Sequence, residues 1–161
     1  MSRLQREFTM ELPFEYDDGG RAAAGFRGKC GDCGTRAAAI ALGMDYREVY
    51  NELNDIRKGF LKKCRTASTR KRYEDSVRNG TTTDVMEEFM KRHGWVWVAK
   101  MRIGSGCTQH LYDMPRTGRY VCRVAKHYCA VVDGVIRDLF HDDGECCVYG
   151  YWCERPIVER R

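Results

Sequence analysis

The sequence predicts an α+β fold in which N-terminal helices pack on a C-terminal antiparallel sheet. Apolar residues recur at helical spacing as far as residue 94. After residue 95 the apolar segments become short and rich in β-branched and aromatic residues, as strands are. An Asp133-Gly134 pair between two such segments is typical of a tight antiparallel hairpin. Helices therefore come first and strands after, unlike the alternating order of a βαβ protein.

The chain of 161 residues is long enough to bury the core of one domain. We predict an N-terminal arm over 1–27 and a single domain over 28–161, with a helical part over 28–94 and a sheet part over 95–153. The N-terminus lacks the apolar stretch of a secretory signal, and no apolar run is long enough to span a bilayer. We therefore expect a cytoplasmic protein that does not interact with membranes.

The first helix is predicted within the segment CGDCGTRAAAIALG. Asp32 is a good N-cap residue, the run 37–42 favours a helix, and Gly43 is a natural helix end. Cys33 then lies in the first turn, where the positive end of the helix dipole favours a thiolate. Backbone N–H groups at the same helix end can bind an oxyanion.

Two longer helices and a sheet complete the predicted domain. Asp45 and Glu48 form a capping box for a helix with apolar residues at helical spacing over 46–60. A further helix runs from about 84 to 93 and ends at Gly94. The predicted strands occupy 95–101, 119–125, 127–132, 135–140 and 147–152.

The predicted hairpin brings a histidine and a carboxylate together. If Asp133-Gly134 forms a two-residue turn, Val132 pairs with Val135. Asp138 is then a diagonal neighbour of His127 on one face of the hairpin, close enough to hydrogen-bond the ring. A register slip of one residue would move Asp138 to the opposite face.

A cysteine nucleophile needs a base, and the base needs a group that orients it. His127 is the best placed of the four histidines because it opens a strand directly before the hairpin. Cys33 is thus a candidate nucleophile, His127 a candidate general base and then acid, and Asp138 a candidate orienting carboxylate. Each of these residues alone is more often structural, but the three in this order favour catalysis.

This order resembles that of papain-like cysteine peptidases. The stretch CGDC at 30–33 resembles their Cys-Gly-x-Cys, in which the second cysteine is the nucleophile. Asp32-Cys33-Gly34 and HYCAVVDGVIRD also resemble the nucleophile helix and the histidine strand of the C39 bacteriocin-processing peptidases. Over about residues 28–152 the chain resembles small uncharacterised proteins of tailed phages and bacteria, usually regarded as papain-like or C39-like.

The resemblance implies a papain-like fold and a cysteine-dependent hydrolase, most simply a peptidase or amidase, that forms a thioester on Cys33. It implies a peptide or protein substrate and no cofactor, and host cytoplasm as the location if the chain is phage-encoded. An acyl transferase with the same triad remains an alternative. The family places an oxyanion glutamine six residues before the nucleophile, where this chain has Arg27. Gln109 is a second oxyanion candidate.

The nine cysteines allow a metal site as an alternative. An odd number of cysteines without a signal peptide argues against a disulfide framework. Cys30 and Cys33 form half of a zinc ligand set, which Cys147 and Cys153, or Cys146, would complete. A dithiol redox site at the first pair is less favoured, because no βαβ unit surrounds it.

The net charge of +5 comes from one segment, residues 57–72, which has eight basic residues and no acidic one. The rest of the chain has 20 basic and 23 acidic residues, a net charge of −3. The segment is either a solvated surface or a binding site for nucleic acid or an acidic partner. The second reading favours a non-catalytic phage or host-interaction protein on a papain-like fold. Its candidate binding residues are Lys62, Lys63, Arg65, Arg70, Lys71 and Arg72.

Overall fold

The structure is a computed structural model that describes residues 12–102, 104–141 and 144–155. Within these residues it is an α+β fold in which helices pack against one six-stranded sheet, which confirms the predicted class. The first 11 residues of the predicted arm and residues 156–161 of the predicted domain lie outside the described residues. No helix in the described part of the chain is long and apolar enough to cross a bilayer.

The helices form close to the predicted positions. Asp45 caps α2 by accepting from the backbone N–H groups of Arg47 and Glu48, as an N-cap aspartate does. The helix predicted from 84 begins one residue earlier and has Thr82 at its N-cap. The α-helices of the described residues are α1 Cys33–Leu42, α2 Tyr46–Lys63, α3 Ala67–Lys71 and α4 Thr83–Arg92.

The sheet is mixed rather than antiparallel, which corrects the prediction. Its strands are β1 Phe14–Tyr16, β2 Trp95–Ala99, β3 Arg119–Val124, β4 His127–Val132, β5 Val135–Asp138 and β6 Gly150–Glu154, in the order β1-β5-β4-β3-β6-β2. The strand β1 comes from the predicted arm and pairs parallel with β5. Three residues are too short to give a recognisable period in the sequence, and only the exposed edge of β5 makes them a strand.

The predicted hairpin register is confirmed. Val132 pairs with Val135, and Ala130 pairs with Arg137. Asp133 and Gly134 have φ values of 49° and 76°, and a type I′ turn requires positive φ at both positions. This turn fixes which residues of β5 lie opposite the start of β4.

The sheet separates two apolar clusters. Tyr128 and Ala130 belong to the cluster that includes α1, α2 and α4, whereas Cys129 and Val131 belong to the cluster on the other face. The alternation along β4 therefore matches a strand buried on both faces. Because α1 packs on β4, its first residue lies beside the first residues of that strand.

Gly150 marks a close approach inside the sheet. A Cβ at this position would lie under 3.0 Å from the ring of Trp97. We expect Gly150→Ala to displace that indole, which packs against Trp152 at a tilt of 53°, and to lower the free energy of unfolding by about 1–3 kcal/mol. Urea denaturation followed by tryptophan fluorescence measures both effects.

Gly59→Ala is the matched control for this substitution. Gly59 lies inside α2 with nothing within 4 Å of a Cβ, so alanine should stabilise the protein by about 0.5–1 kcal/mol. Equal unfolding midpoints for the two variants would contradict the close packing at Gly150.

Candidate active site

Cys33 is the first residue of α1, with Asp32 at the N-cap position. The Asp32 side chain does not cap the helix, contrary to its predicted role. Its fully buried carboxylate accepts hydrogen bonds from Arg21 Nε (2.9 Å), Arg36 Nε (3.2 Å) and the Tyr46 hydroxyl. A buried carboxylate is best stabilised by charged donors. Asp32 therefore takes none of the amide N–H groups beside Cys33.

The structure brings the three predicted triad residues together. The Cys33 sulfur is hydrogen-bonded by the His127 ring and by the backbone N–H of Tyr128. On its other side the ring contacts Asp138, whose Oδ2 is hydrogen-bonded to His127 Nε2. With Nε2 occupied by the carboxylate, Nδ1 is the ring nitrogen left for the thiol.

The contacts favour charge separation between Cys33 and His127. Burial alone would raise the pKa of the Cys33 thiol, but the hydrogen bonds from His127 and Tyr128 lower it below its ordinary value. The hydrogen bond to Asp138, followed by that to Cys33, raises the pKa of His127 to about 9 against the opposing effect of burial. Burial would raise the pKa of Asp138, but its contacts with His127 lower it. These contacts thus shift the pair toward a thiolate beside an imidazolium.

Arg36 is a site residue that the sequence analysis did not identify. Only 2% of it is exposed, and its Nη1 donates to Asp138 Oδ1 at 2.9 Å while its Nε faces Asp32. The Leu139 N–H also donates to Asp138 Oδ1, at 2.7 Å. One oxygen of Asp138 is therefore held by Arg36 and Leu139, and the other is left for His127. An arginine in an alanine-rich helix, one turn after the cysteine, was the signal available in the sequence.

A cavity of about 520 Å³ opens at this end of α1. Cys33 and His127 line it, together with Cys30 and Phe140. This volume is within the range of clefts that bind small ligands, roughly 300–1,000 Å³. The other lining residues are Gly31, Arg36, Arg72, Asn79, Gly80, Thr81, Thr82, Thr83, Arg123, Lys126 and Tyr128.

Neither predicted oxyanion residue lines this cavity. Arg27 is exposed, and its carbonyl accepts from Arg78. The Gln109 side chain contacts the Met114 sulfur and lines a separate cavity. Thr81 does line the Cys33 cavity, and its buried hydroxyl has no hydrogen-bond partner among the described residues.

The structure does not assemble the predicted zinc ligands. Cys147 forms a disulfide with Cys107 across 40 residues, although the cysteine count without a signal peptide argued against a disulfide framework. Cys30, Cys33 and Cys153 are free thiols. Among the described residues no group of three or more histidine, cysteine or acidic side chains is arranged to hold a metal ion. The disulfide joins two loops whose proximity has no local signal in the sequence.

The six candidate binding residues of the basic segment 57–72 are all exposed, at the end of α2 and along α3. Arg57 is different, because its guanidinium donates to Asn54 Oδ1 (3.1 Å) and to the Glu74 carbonyl (3.2 Å). Arg72, the last residue of the segment, lines the Cys33 cavity. The segment is therefore a charged surface that reaches the candidate site at one end.

Comparisons of the chain with protein-family models, with curated proteins and with solved structures found no match. The resemblance to papain-like and C39-like peptidases thus rests on the motifs quoted above.

Proposed function

We propose that the protein is a cysteine-dependent hydrolase with a papain-like fold, acting on peptide or other amide bonds. One observation carries the proposal: the Cys33 thiol, at the start of α1, is hydrogen-bonded to His127, which Asp138 holds from the other side. A nucleophile, a base and an orienting group in mutual contact are the parts that covalent acyl transfer needs.

In the proposed reaction the Cys33 thiolate attacks the carbonyl carbon of the substrate and forms a C–S bond. The imidazolium of His127 then gives its Nδ1 proton to the leaving nitrogen as the C–N bond breaks, which leaves a thioester on Cys33. His127, now neutral, accepts a proton from water as the water oxygen attacks the thioester. The carboxylic acid leaves, and the thiolate–imidazolium pair is restored.

The oxyanion formed in each attack needs donors near Cys33. We assign this role to the amide N–H groups at the start of α1 and to the Thr81 hydroxyl. A Cβ at Gly34 would lie 3.2 Å from that hydroxyl oxygen, so Thr81 sits against the first turn of α1. This arrangement uses no glutamine, unlike the family pattern.

The test of the proposal is alkylation of the reduced protein by iodoacetamide over a range of pH, with the modified cysteines mapped by mass spectrometry. We expect Cys33 to react fast near pH 6, well below the ordinary thiol pKa of about 8.5. His127→Ala should slow this reaction by at least about tenfold, because each unit of increase in pKa lowers the thiolate fraction tenfold.

Cys30 is the internal control, since it lines the same cavity and its thiol donates to the Gly28 carbonyl, at 3.5 Å. Its alkylation rate should be the same in both proteins. If Cys33 reacts no faster than Cys30 at pH 6, the hydrolase proposal fails. The exposed segment 57–72 would then favour the binding-protein alternative.

A further inference from the structure

The charges around the Cys33 cavity are of one sign. Four cationic side chains line it, from Arg36, Arg72, Arg123 and Lys126, and no aspartate or glutamate is among the described residues that line it. These cations come from three separate parts of the chain, on α1, after α3 and around the β3–β4 turn. A cleft lined by one sign of charge concentrates ligands of the opposite sign.

Two of the four cations already interact with carboxylates of the protein. Arg36 is paired with Asp32 and Asp138. Burial would raise the pKa of Asp84, but hydrogen bonds from Thr82 and Tyr73 lower it, and the charge of Arg72 adds to this effect without forming an ion pair within 4.0 Å among the described residues. Arg72 also lies 6.0 Å from the Tyr73 ring.

Arg123 and Lys126 are the uncompensated pair. Neither forms an ion pair within 4.0 Å with a carboxylate of the described residues. Arg123 is paired across the hairpin with Tyr128, and Lys126 directly precedes His127. Both therefore lie close to His127 in the lining of the cavity.

We propose that this site selects acidic polypeptide substrates, with an aspartate or glutamate side chain next to the scissile amide held by Arg123 and Lys126. The inference rests on the proposed hydrolase function and adds a substrate class to it. The substrate carboxylate would accept charge-assisted hydrogen bonds from Arg123 and Lys126, for which the described residues supply no carboxylate partner.

A polypeptide fits the site better than a nucleic acid, although both are anionic. The reactive group beside the cations is a thiol activated for attack on an acyl carbon, and a nucleic acid backbone offers none.

The experiment compares the alkylation of Cys33 by two small reagents. Iodoacetate carries a carboxylate, and iodoacetamide is neutral. The measured quantity is the ratio of their alkylation rates at Cys33 at low ionic strength. We expect Arg123→Gln/Lys126→Gln to lower this ratio by about tenfold. In the unaltered protein the ratio should also fall as salt is raised to about 1 M, where the screening length is about 3 Å.

The control is Lys91→Gln/Arg102→Gln, which removes the same two charges from exposed positions outside the cavity lining. It should keep the ratio of the unaltered protein. An equal fall in both double variants, or none in the cavity variant, overturns the substrate class.

Fast reaction of Cys33 with iodoacetamide in the same samples shows that such a failure concerns selectivity and not the hydrolase proposal. An oligonucleotide of about twelve nucleotides provides a competing ligand. Suppose that Arg123→Gln/Lys126→Gln weakens binding of this oligonucleotide but leaves the alkylation ratio unchanged. The two cations then bind nucleic acid, and the proposal is overturned.

Discussion

Replacing Asp138 with asparagine is expected to slow the reaction of Cys33 near pH 6 by about 10²–10⁴-fold. In the structure Asp138 Oδ1 accepts from both Arg36 and the Leu139 N–H. An asparagine would keep its oxygen on these donors and turn its NH₂ group toward His127 Nε2. A ring nitrogen facing a donor must be unprotonated, so neutral His127 carries its proton on Nδ1. A protonated Nδ1 cannot accept the proton of the Cys33 thiol.

The pH dependence of the reaction should change in a defined direction. In the unaltered protein the thiolate–imidazolium pair persists from the lowered pKa of Cys33 up to the pKa of His127, about 9. Loss of the Asp138 charge lowers the pKa of His127 toward 6.5, and loss of the imidazolium raises the pKa of Cys33. The pH range in which the thiolate–imidazolium pair exists thus becomes narrower at both ends. The alkylation rate of Cys33 in Asp138→Asn should rise only near the ordinary thiol pKa of about 8.5.

Asp133→Asn is the matched control, because it makes the same chemical change in the same hairpin. Asp133 accepts from the Gly118 N–H at the turn, where asparagine is also favoured. Its alkylation profile should coincide with that of the unaltered protein. A profile for Asp138→Asn that also coincides with it would show that Asp138 does not set the protonation of His127.

Replacing Arg36 with methionine is expected to lower the free energy of unfolding by about 3–5 kcal/mol. Arg36 is the shared partner of two carboxylates, Asp32 and Asp138, each nearly or fully buried. Methionine fills a similar volume, so the loss is that of the charge and its hydrogen bonds rather than of packing. Two buried carboxylates that lose this partner must bind protons or bring in water. Urea denaturation near pH 7 measures the change.

Arg92→Met is the control for this substitution. Arg92 pairs with Glu88 at 3.0 Å on the surface of α4, with 52% of its side chain exposed, and such pairs contribute at most about 1 kcal/mol. Arg36→Lys keeps the charge, but lysine lacks the planar guanidinium that binds both carboxylates. Its loss of unfolding free energy should therefore lie between those of the two methionine variants. Equal destabilisation by Arg36→Met and Arg92→Met would contradict a structural role for the buried network.

The same arginine explains why sequence reasoning found part of the site and missed the rest. His127 and Asp138 lie in one hairpin, and a two-residue turn determines their spacing. Arg36 and Asp138 are 102 residues apart, and nothing local relates them. Asp32 occupies the predicted cap position, but its carboxylate is bonded to Arg21, Arg36 and Tyr46 instead of the helix amides.

The sequence by itself determined the features that depend on a few neighbouring residues. These are the start of α1 at Cys33, the capped start of α2 and the hairpin register, because caps, turns and periodicity act over one or two turns of chain. Tertiary structure decided the rest: the parallel strand β1, the contact of Cys33 with His127, and the cations gathered around the cavity. The strand β1 depends on the free edge of β5, and the contact of Cys33 with His127 depends on the packing of α1 on β4. Such long-range contacts are selected by burial of the whole core and by pairing of its buried charges, which no local pattern specifies.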